Sequence, residues 1–283
     1  MKKQQHASQF PRRFEELPSR RQQQLMAFDR VLTIMDELRE NCPWDKKQTM
    51  DSLRHLTIEE TYELSDAILE KDSQEIKKEL GDVLLHLVFY ARIASETGEF
   101  DISDVMNSLC EKLIHRHPHI YGDAQADNEE QVKRNWEQLK IKEGNKSVLE
   151  GVPSSLPALV KAIRIQEKAR GAGFDWEEKQ QVWEKVREEI EEFQEEFSMG
   201  KTVDQSRVEG EFGDLIFSLV NYARFVDINP ETALERTNRK FISRFKHLEK
   251  RAKENGRELK DMTLAEMDIY WNEAKTLDLD SSK

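Results

Sequence analysis

The sequence predicts an all-α protein made of two copies of one helical bundle. Three observations carry that expectation. Apolar residues recur at helical spacing along most of the 283-residue chain. Runs of alternating Val, Ile and Thr, the mark of half-buried strands, are absent from the sequence. An ordered set of acidic, basic and aromatic residues in the first half recurs in the second.

The elements follow in chain order. Residues 1–24 are rich in Lys, Arg and Gln, contain Pro11 and Pro18, and show little periodicity; they are expected to form a flexible tail. Helical pattern starts at 25 and runs to 39, before a turn-like N-C-P-W-D at 41–45. Further helices are expected over 57–70, 73–97 and 102–114. Gly98 ends the second of these, and H-R-H-P-H at 115–119 stops the third. A helix over 129–142 closes the first half. Gly144, Gly151, Pro153 and Pro157 then mark a linker. The second half is expected to hold helices at 158–170, 180–199, 204–226, 230–255 and 263–276, with a loop at 171–176. Pro230 at a helix start and Gly256 just past a helix end fit the usual capping asymmetry. The expected division is a tail at 1–24, a first domain at 25–143, a linker at 144–157 and a second domain at 158–283.

Composition narrows the class. Charged residues make up 35% and hydrophobic ones 37%, enough for helical cores and too little for a membrane protein. No run of roughly 18 apolar residues offers a transmembrane helix. The N-terminus lacks the apolar core of a secretory signal, so the expected compartment is the cytoplasm. Cys42 and Cys110 are the only cysteines; they form no metal-type pair and are expected to be reduced. A net charge of −12 disfavours direct nucleic-acid binding, which rests on neutralising phosphates. A small phosphorylated substrate stays compatible if a metal supplies positive charge locally.

The repeat is detailed. E-T-Y-E at 60–63 corresponds to E-I-E-E at 189–192, and E-L-G-D at 79–82 to E-F-G-D at 211–214. L-G-D-V-L-L-H-L-V-F-Y-A-R at 80–92 lies over F-G-D-L-I-F-S-L-V-N-Y-A-R at 212–224 without a gap. Lys112 and Arg116 correspond to Lys240 and Arg244, and Trp136 with Lys140 to Trp271 with Lys275. Four ordered elements occurring twice predict a duplicated helical domain.

The carboxylate pairs Glu189/Glu192 and Glu211/Asp214 each lie three residues apart, side by side on a helix. An acidic helix face is ordinarily solvated, so the facing matters. Seen down the helix axis from Glu189, the stripe Val182, Val186, Ile190, Phe193 and Phe197 centres about 70° to one side. Glu192 falls about 60° to the other side, and Glu196 about 20°. Glu188, Glu191 and Glu195 fall on the far side. On the next helix, Leu215, Leu219 and Tyr222 take the packing side of Glu211. Asp214, Ser218 and Asn221 form a polar strip beside it. Two acidic strips bordering packed apolar stripes are costly unless a cation neutralises them, and oxygen-only sets suit Mg²⁺ or Mn²⁺. Lys185 and Arg207 each stand one turn before a carboxylate pair. They are either ordinary helix salt-bridge partners or groups that reach a metal-held phosphate.

This set of residues resembles the MazG family of all-α nucleoside triphosphate pyrophosphohydrolases. C-P-W-D at 42–45, T-I-E-E-T-Y-E at 57–63, L-G-D-V-L-L at 80–85, R-H-P-H at 116–119, G-F-D-W at 173–176 and the doubled layout are similar to the family's two-domain bacterial members. The resemblance implies Mg²⁺-dependent hydrolysis of a nucleoside triphosphate to the monophosphate and pyrophosphate, with Mn²⁺ as the alternative ion. It also implies a homodimer, broad nucleotide specificity and a housecleaning role. Glu189, Glu192, Glu211 and Asp214 would be the catalytic metal ligands. Lys185, Arg207, Asn221, Lys240, Arg244 and Trp271 would contact the nucleotide, and Glu188 or Glu196 would take the water proton. Two narrower alternatives are a dUTP-type and a phosphoribosyl-ATP-type pyrophosphohydrolase, and the tandem layout argues against both. Outside enzymes, the alternative is a nucleotide-sensing regulatory protein with little turnover.

The halves differ where it matters. Lys185 corresponds to Leu56, Arg207 to Glu75 and Ser218 to His86. Asn221 corresponds to Phe89, which places a phenylalanine on the polar strip. The first half keeps Glu60, Glu63, Glu79, Asp82, Lys112 and Arg116 as a second, lesser site. The second half is therefore expected to be the main catalyst. His115, His117 and His119 invite a zinc reading, but Pro118 breaks their helical geometry and no Cys or carboxylate joins them.

Overall fold

A computed structural model describes residues 13–122, 147–197 and 204–281, with isolated positions between 124 and 136. Regular structure among the described residues is helical, and the chain divides into two units at residues 142 and 143.

The first unit holds α1 (Ser19–Asn41), α2 (Met50–Glu70), α3 (Ser73–Glu96), α4 (Ile102–Arg116) and the short α5 (Pro118–Tyr121). Helix α1 starts six residues before the expected position at 25, so part of the expected tail is helical. Pro18 takes the N-cap with φ −56°, and the Arg and Gln that follow are good helix formers without being apolar. Gln22 fastens the start by donating from Nε2 to the Leu17 and Phe14 carbonyls at 2.9 and 3.1 Å. Helix α2 also starts early, at Met50 rather than 57. Its cue is a reciprocal cap: Ser52 N–H donates to Thr49 Oγ1 at 3.1 Å and Thr49 N–H to Ser52 Oγ at 2.9 Å. Lys71 ends α2 in the left-handed region at φ 58°. Asp72 at once caps α3 by accepting from the Gln74 and Glu75 amides at 2.8 and 3.2 Å. Helices α2 and α3 are thus a tight hairpin. The helix expected over 129–142 lies almost wholly outside the described residues.

The core of this unit joins Met35 of α1, Leu53 of α2, and Val88 and Phe89 of α3, with Phe28, Val31, Leu32, Leu56, Tyr90 and Ile93 around it. Ion pairs brace its edge. Arg92 Nε lies 2.6 Å from Asp36 and Arg39 Nε 2.7 Å from Glu96. Arg39 also donates to the carbonyls of Asp45 and Gln48, the latter at 3.0 Å, and so anchors the turn after α1.

The second unit holds α6 (Ala158–Gly171), α7 (Lys179–Glu195), α8 (Gln205–Phe225), α9 (Pro230–Glu254) and α10 (Leu264–Ser281). The stretch 198–203, which includes the expected end of α7 at 199, lies outside the described residues. Helices α7 and α8 run antiparallel in step: Trp183 meets Tyr222 at 4.8 Å between ring centroids, and Phe193 meets Phe212 at 5.6 Å. Val182, Val186, Val208 and Val220 are buried. Two expected packing residues are not: Phe197 and Leu219 are exposed. Phe197 stands two residues past the end of α7 and meets Phe193 edge-on at 5.4 Å. On α8 the buried positions include Ser218 and Val220, on either side of Leu219. Helix α6 is tied to α8 by Gln166 Nε2 donating to the Phe217 carbonyl at 2.7 Å. Helix α10 meets α9 through Trp271 and Phe241, 5.0 Å apart.

Candidate active site

The α7–α8 hairpin brings Glu189 and Glu192 of α7 against Glu211 of α8. One oxygen from each lies within 4.8 Å of the others. The ring clasp explains the meeting: Glu192 directly precedes Phe193 and Glu211 directly precedes Phe212, and those two rings touch. Glu189 is buried, and Glu188, Glu191 and Glu195 face solvent, as the helical facing predicts; Glu192, expected to border the core beside Glu189, is exposed instead. Asp214 is exposed and stands outside this close group of oxygens. Partial desolvation beside the other carboxylates, and then the charge of Glu189, push the Glu192 carboxyl above its ordinary value, with Lys185 opposing the shift. Crowded carboxylates that raise one another's proton affinity form a donor set that a hard divalent cation fits.

Lys185 is both a helix salt-bridge partner and a group at the edge of the nest. Its Nζ lies 2.8 Å from Glu188 and 2.7 Å from Glu189. The hydrogen bonds it donates to Glu188, then to Glu189, raise the ammonium's pKa well above its ordinary value. Arg207 does not pair with Glu211, one turn away; its Nη2 crosses to Glu196 of the α7 end at 2.9 Å. Glu196 is buried, so this pair closes the open end of the α7–α8 hairpin. Both candidate proton acceptors, Glu188 and Glu196, therefore already hold a cation.

Asn221, on the same helix as Glu211, belongs to a chain of contacts that sequence reasoning missed. Its Oδ1 accepts from Arg224 Nη2 at 2.8 Å, and Arg224 Nη1 donates to Asp175 Oδ2 at 2.8 Å. Arg224 Nη2 donates to Asp175 Oδ1 as well. The visible signal was the Y-A-R ending shared by 90–92 and 222–224 and the acid inside G-F-D-W. This arrangement leaves the Asn221 amide nitrogen as the group available to a ligand. Ser218, one turn earlier, is buried and spends its hydroxyl on the Leu215 carbonyl at 2.9 Å.

Lys240, Arg244 and Trp271 lie on α9 and α10. The Arg244 guanidinium sits 5.9 Å over the Trp271 ring, which also packs on Phe241. Lys240, one turn before Arg244, is exposed.

The first unit repeats the nest with changed membership. Glu60 of α2 meets Glu79 and Asp82 of α3 within 4.8 Å, and Glu63 is the residue left out. Burial and the charges of Asp82, Glu63 and Glu79 raise the Glu60 carboxyl above its ordinary value. Lys78, which sequence reasoning did not mark, lies 2.8 Å from the buried Glu79. No helical facing argument points to it, because neighbours in sequence sit about 100° apart on a helix. Phe89, the counterpart of Asn221, is 2% exposed and part of the core, so its place on a polar strip is corrected. Flanking apolar residues of α1 claim it. His86 is buried too, and burial lowers its pKa. Lys112 is exposed, while Arg116 lies 5.7 Å over Trp136, as Arg244 does over Trp271. Lys140 lies outside the described residues. Of the three histidines, His117 packs between His119 and Trp136, with ring centroids 5.6 and 5.1 Å away.

The sequence profile of the MazG nucleotide pyrophosphohydrolase domain matches residues 48–121 and again 177–249. The chain belongs to the MazG family. Each match spans one carboxylate nest, so the MazG domain is present twice and the all-α tandem arrangement holds. Similar proteins agree. The chain is 44% identical over 253 residues to the Thermotoga maritima nucleoside triphosphate pyrophosphohydrolase/pyrophosphatase MazG, covering 88% of this chain and 95% of that one. It is 41% identical over 259 residues to the Escherichia coli K12 nucleoside triphosphate pyrophosphohydrolase, covering 89% and 98%. It is 46% identical over 253 residues to the uncharacterized protein YabN of Bacillus subtilis, of which it covers 51%. As a MazG protein, the chain is a hydrolase.

Proposed function

We propose that this MazG chain hydrolyses nucleoside triphosphates to the monophosphate and pyrophosphate at the nest of the second unit. The observation that carries the reading is the convergence of Glu189, Glu192 and Glu211 oxygens within 4.8 Å, inside a MazG domain. Glu189, Glu192 and Glu211 would hold Mg²⁺, or Mn²⁺, with Asp214 one turn further along α8 as the fourth ligand. Such an ion supplies charge neutralisation at the phosphates and a more acidic water. The protein's own part is binding and orientation. Lys185, poised between Glu188 and Glu189, presents an ammonium at the edge of the nest where phosphate oxygens would lie. Arg207 does the same from the α8 side, while Asn221 offers an amide donor further along. Lys240, Arg244 and Trp271 form a second nucleotide-facing group, with the Trp271 ring braced by Phe241. We assign a proton-accepting role to Glu188 or Glu196 only once substrate has drawn off its cation.

Breadth of substrate and a nucleotide-pool role in the cytoplasm fit a nest that addresses phosphates rather than a base. No described helix is long and apolar enough to cross a membrane. A homodimer is supported by matched exposed stripes: Leu80, Leu84 and Leu87 on α3, and Phe212, Ile216 and Leu219 on α8. Exposed apolar rows on one helix face mark association surfaces.

The test is pyrophosphate release from the eight common NTPs and dNTPs with Mg²⁺ or Mn²⁺, with and without EDTA. Glu192→Ala is expected to lose activity at least about a hundredfold, since even outer-shell partners of a metal are worth 10–100-fold. Glu63→Ala is expected to leave most of it. The reverse result would move catalysis to the first unit. Tight binding without turnover would favour a nucleotide sensor.

A further inference from the structure

The two nests differ in how far their own side chains satisfy them. Glu79, the inner carboxylate of the first nest, is 3% exposed. Its Oε1 accepts from Lys78 Nζ at 2.8 Å. Its Oε2 is buried and has no hydrogen-bond partner among the described residues. A buried carboxylate oxygen without a partner is costly. Here that carboxylate also has an oxygen within 4.8 Å of oxygens from Glu60 and Asp82. The ammonium that faces these three acids is loosely held. The Lys78 side chain is 59% exposed and lies 3.6 Å from Glu75 as well. A divalent cation bonds carboxylate oxygens directly, at about 2.0–2.1 Å for Mg²⁺, so an inner ligand needs no contact with water. The outer pair, Glu60 and Asp82, is half-buried.

The second nest has less need of an ion while it is empty of substrate. No oxygen of Glu189, Glu192 or Glu211 is both buried and unpartnered. Glu192 is exposed to water. Lys185 is fixed at two points, 2.7 Å from Glu189 and 2.8 Å from Glu188. The phosphate side differs in the opposite sense. Leu56, Glu75 and Phe89 stand in the first unit where the second has Lys185, Arg207 and Asn221. The first nest therefore combines the stronger demand for a cation with the weaker grip on a phosphate.

We propose that the first nest is a resident divalent-cation site, filled by Mg²⁺ or Mn²⁺ through Glu60, Glu79 and Asp82 without nucleotide, where the ion fastens α2 to α3 and does not serve hydrolysis. The second nest takes its ion together with the nucleotide. The proposal shares with the hydrolase reading only the treatment of such nests as cation sites, and it is tested by binding, without turnover. The full chain, stripped with EDTA and desalted, is titrated with MnCl₂ in the absence of nucleotide, and free Mn²⁺ is followed by EPR. One class of site is expected, retained in the Glu189→Gln/Glu192→Gln variant and weakened about tenfold or more by Glu79→Gln. Mn²⁺ is expected to raise the melting temperature of the wild type and of the double variant, and not that of Glu79→Gln. If Glu79→Gln does not fold, as far-UV circular dichroism shows, Asp82→Asn carries the same expectation. Lys78→Ala, which removes the competing ammonium, is expected to tighten Mn²⁺ severalfold. The proposal is overturned if no Mn²⁺ binds below millimolar concentration without nucleotide. Binding that survives Glu79→Gln or Asp82→Asn, that is lost in the Glu189→Gln/Glu192→Gln variant, or that weakens in Lys78→Ala would also overturn it.

Discussion

At the residue scale, the proposed site separates groups that would touch a ligand from groups that would aim them. Arg224 would be an aiming residue: gripped by Asp175, it holds the Asn221 oxygen. Arg224→Ala is expected to raise KM about tenfold, the value of one oriented hydrogen bond, with a smaller change in kcat; steady-state kinetics on the best substrate checks it. Arg39 and Glu96 give a pH prediction. The hydrogen bond from Arg39 is the chief reason the Glu96 carboxyl sits below its ordinary value, with burial opposing. The folded state thus favours ionised Glu96. The pair stabilises at pH above the ordinary carboxylate value of about 4.3, and that contribution fades as pH falls through and below it. Glu96 is 36% exposed, so solvent screening keeps the effect small. Glu96→Gln is expected to lower the melting temperature at pH 7 and to make little difference near pH 3.

At the element scale, the two hairpins α2–α3 and α7–α8 each hold one carboxylate nest. Each is closed by packing across its length and opened by a well-capped start. Leu53, buried between α1, α2 and α3, is expected to cost about 2–5 kcal/mol when cut to Ala. Thr49→Ala removes the α2 cap and is expected to cost about 0.5–2 kcal/mol; urea melts of both variants measure this. The hairpins also show how a duplicated element diverges without losing its acids. In α3, Lys78 neutralises the buried Glu79; in α7, Lys185 neutralises the buried Glu189. The most buried carboxylate of each nest thus receives the lysine, but from opposite helices of the hairpin. Buried charges need such partners. The first nest, with Phe89 in the core where the second has Asn221, keeps the charges and lacks the amide donor.

At the scale of the molecule, the repeated apolar rows on α3 and α8 are the main unmet need. Ile216→Glu with Leu219→Glu is expected to convert a dimer to monomers in analytical ultracentrifugation, and Leu84→Glu with Leu87→Glu to weaken association less or equally. A monomeric wild type at micromolar concentration would remove the dimer from the reading. The repeat itself was fully legible: the G-D segments, the Y-A-R endings and the Arg–Trp pairs recur in order, and both Arg residues lie over their Trp rings.

What the sequence determined alone was whatever helical periodicity or pattern repetition encodes. That covers the all-α class, the duplication and the split of Glu189 from its solvated neighbours. Periodicity was blind where polar residues begin a helix, hence the late expected starts of α1 and α2. It also misjudged Phe197 and Leu219, because a helix's angle fixes direction and not what stands there, and the repeat misplaced Phe89 by carrying over the surroundings of Asn221. Tertiary structure alone decided which three acids close up in each nest, since that depends on hairpin register set by Phe193 against Phe212. It alone sent Arg207 to Glu196, put Lys78 on Glu79, and linked Asp175, Arg224 and Asn221. Those contacts join residues on different elements, and the physical reason is packing: distance between helices is set by side chains that no single helix contains.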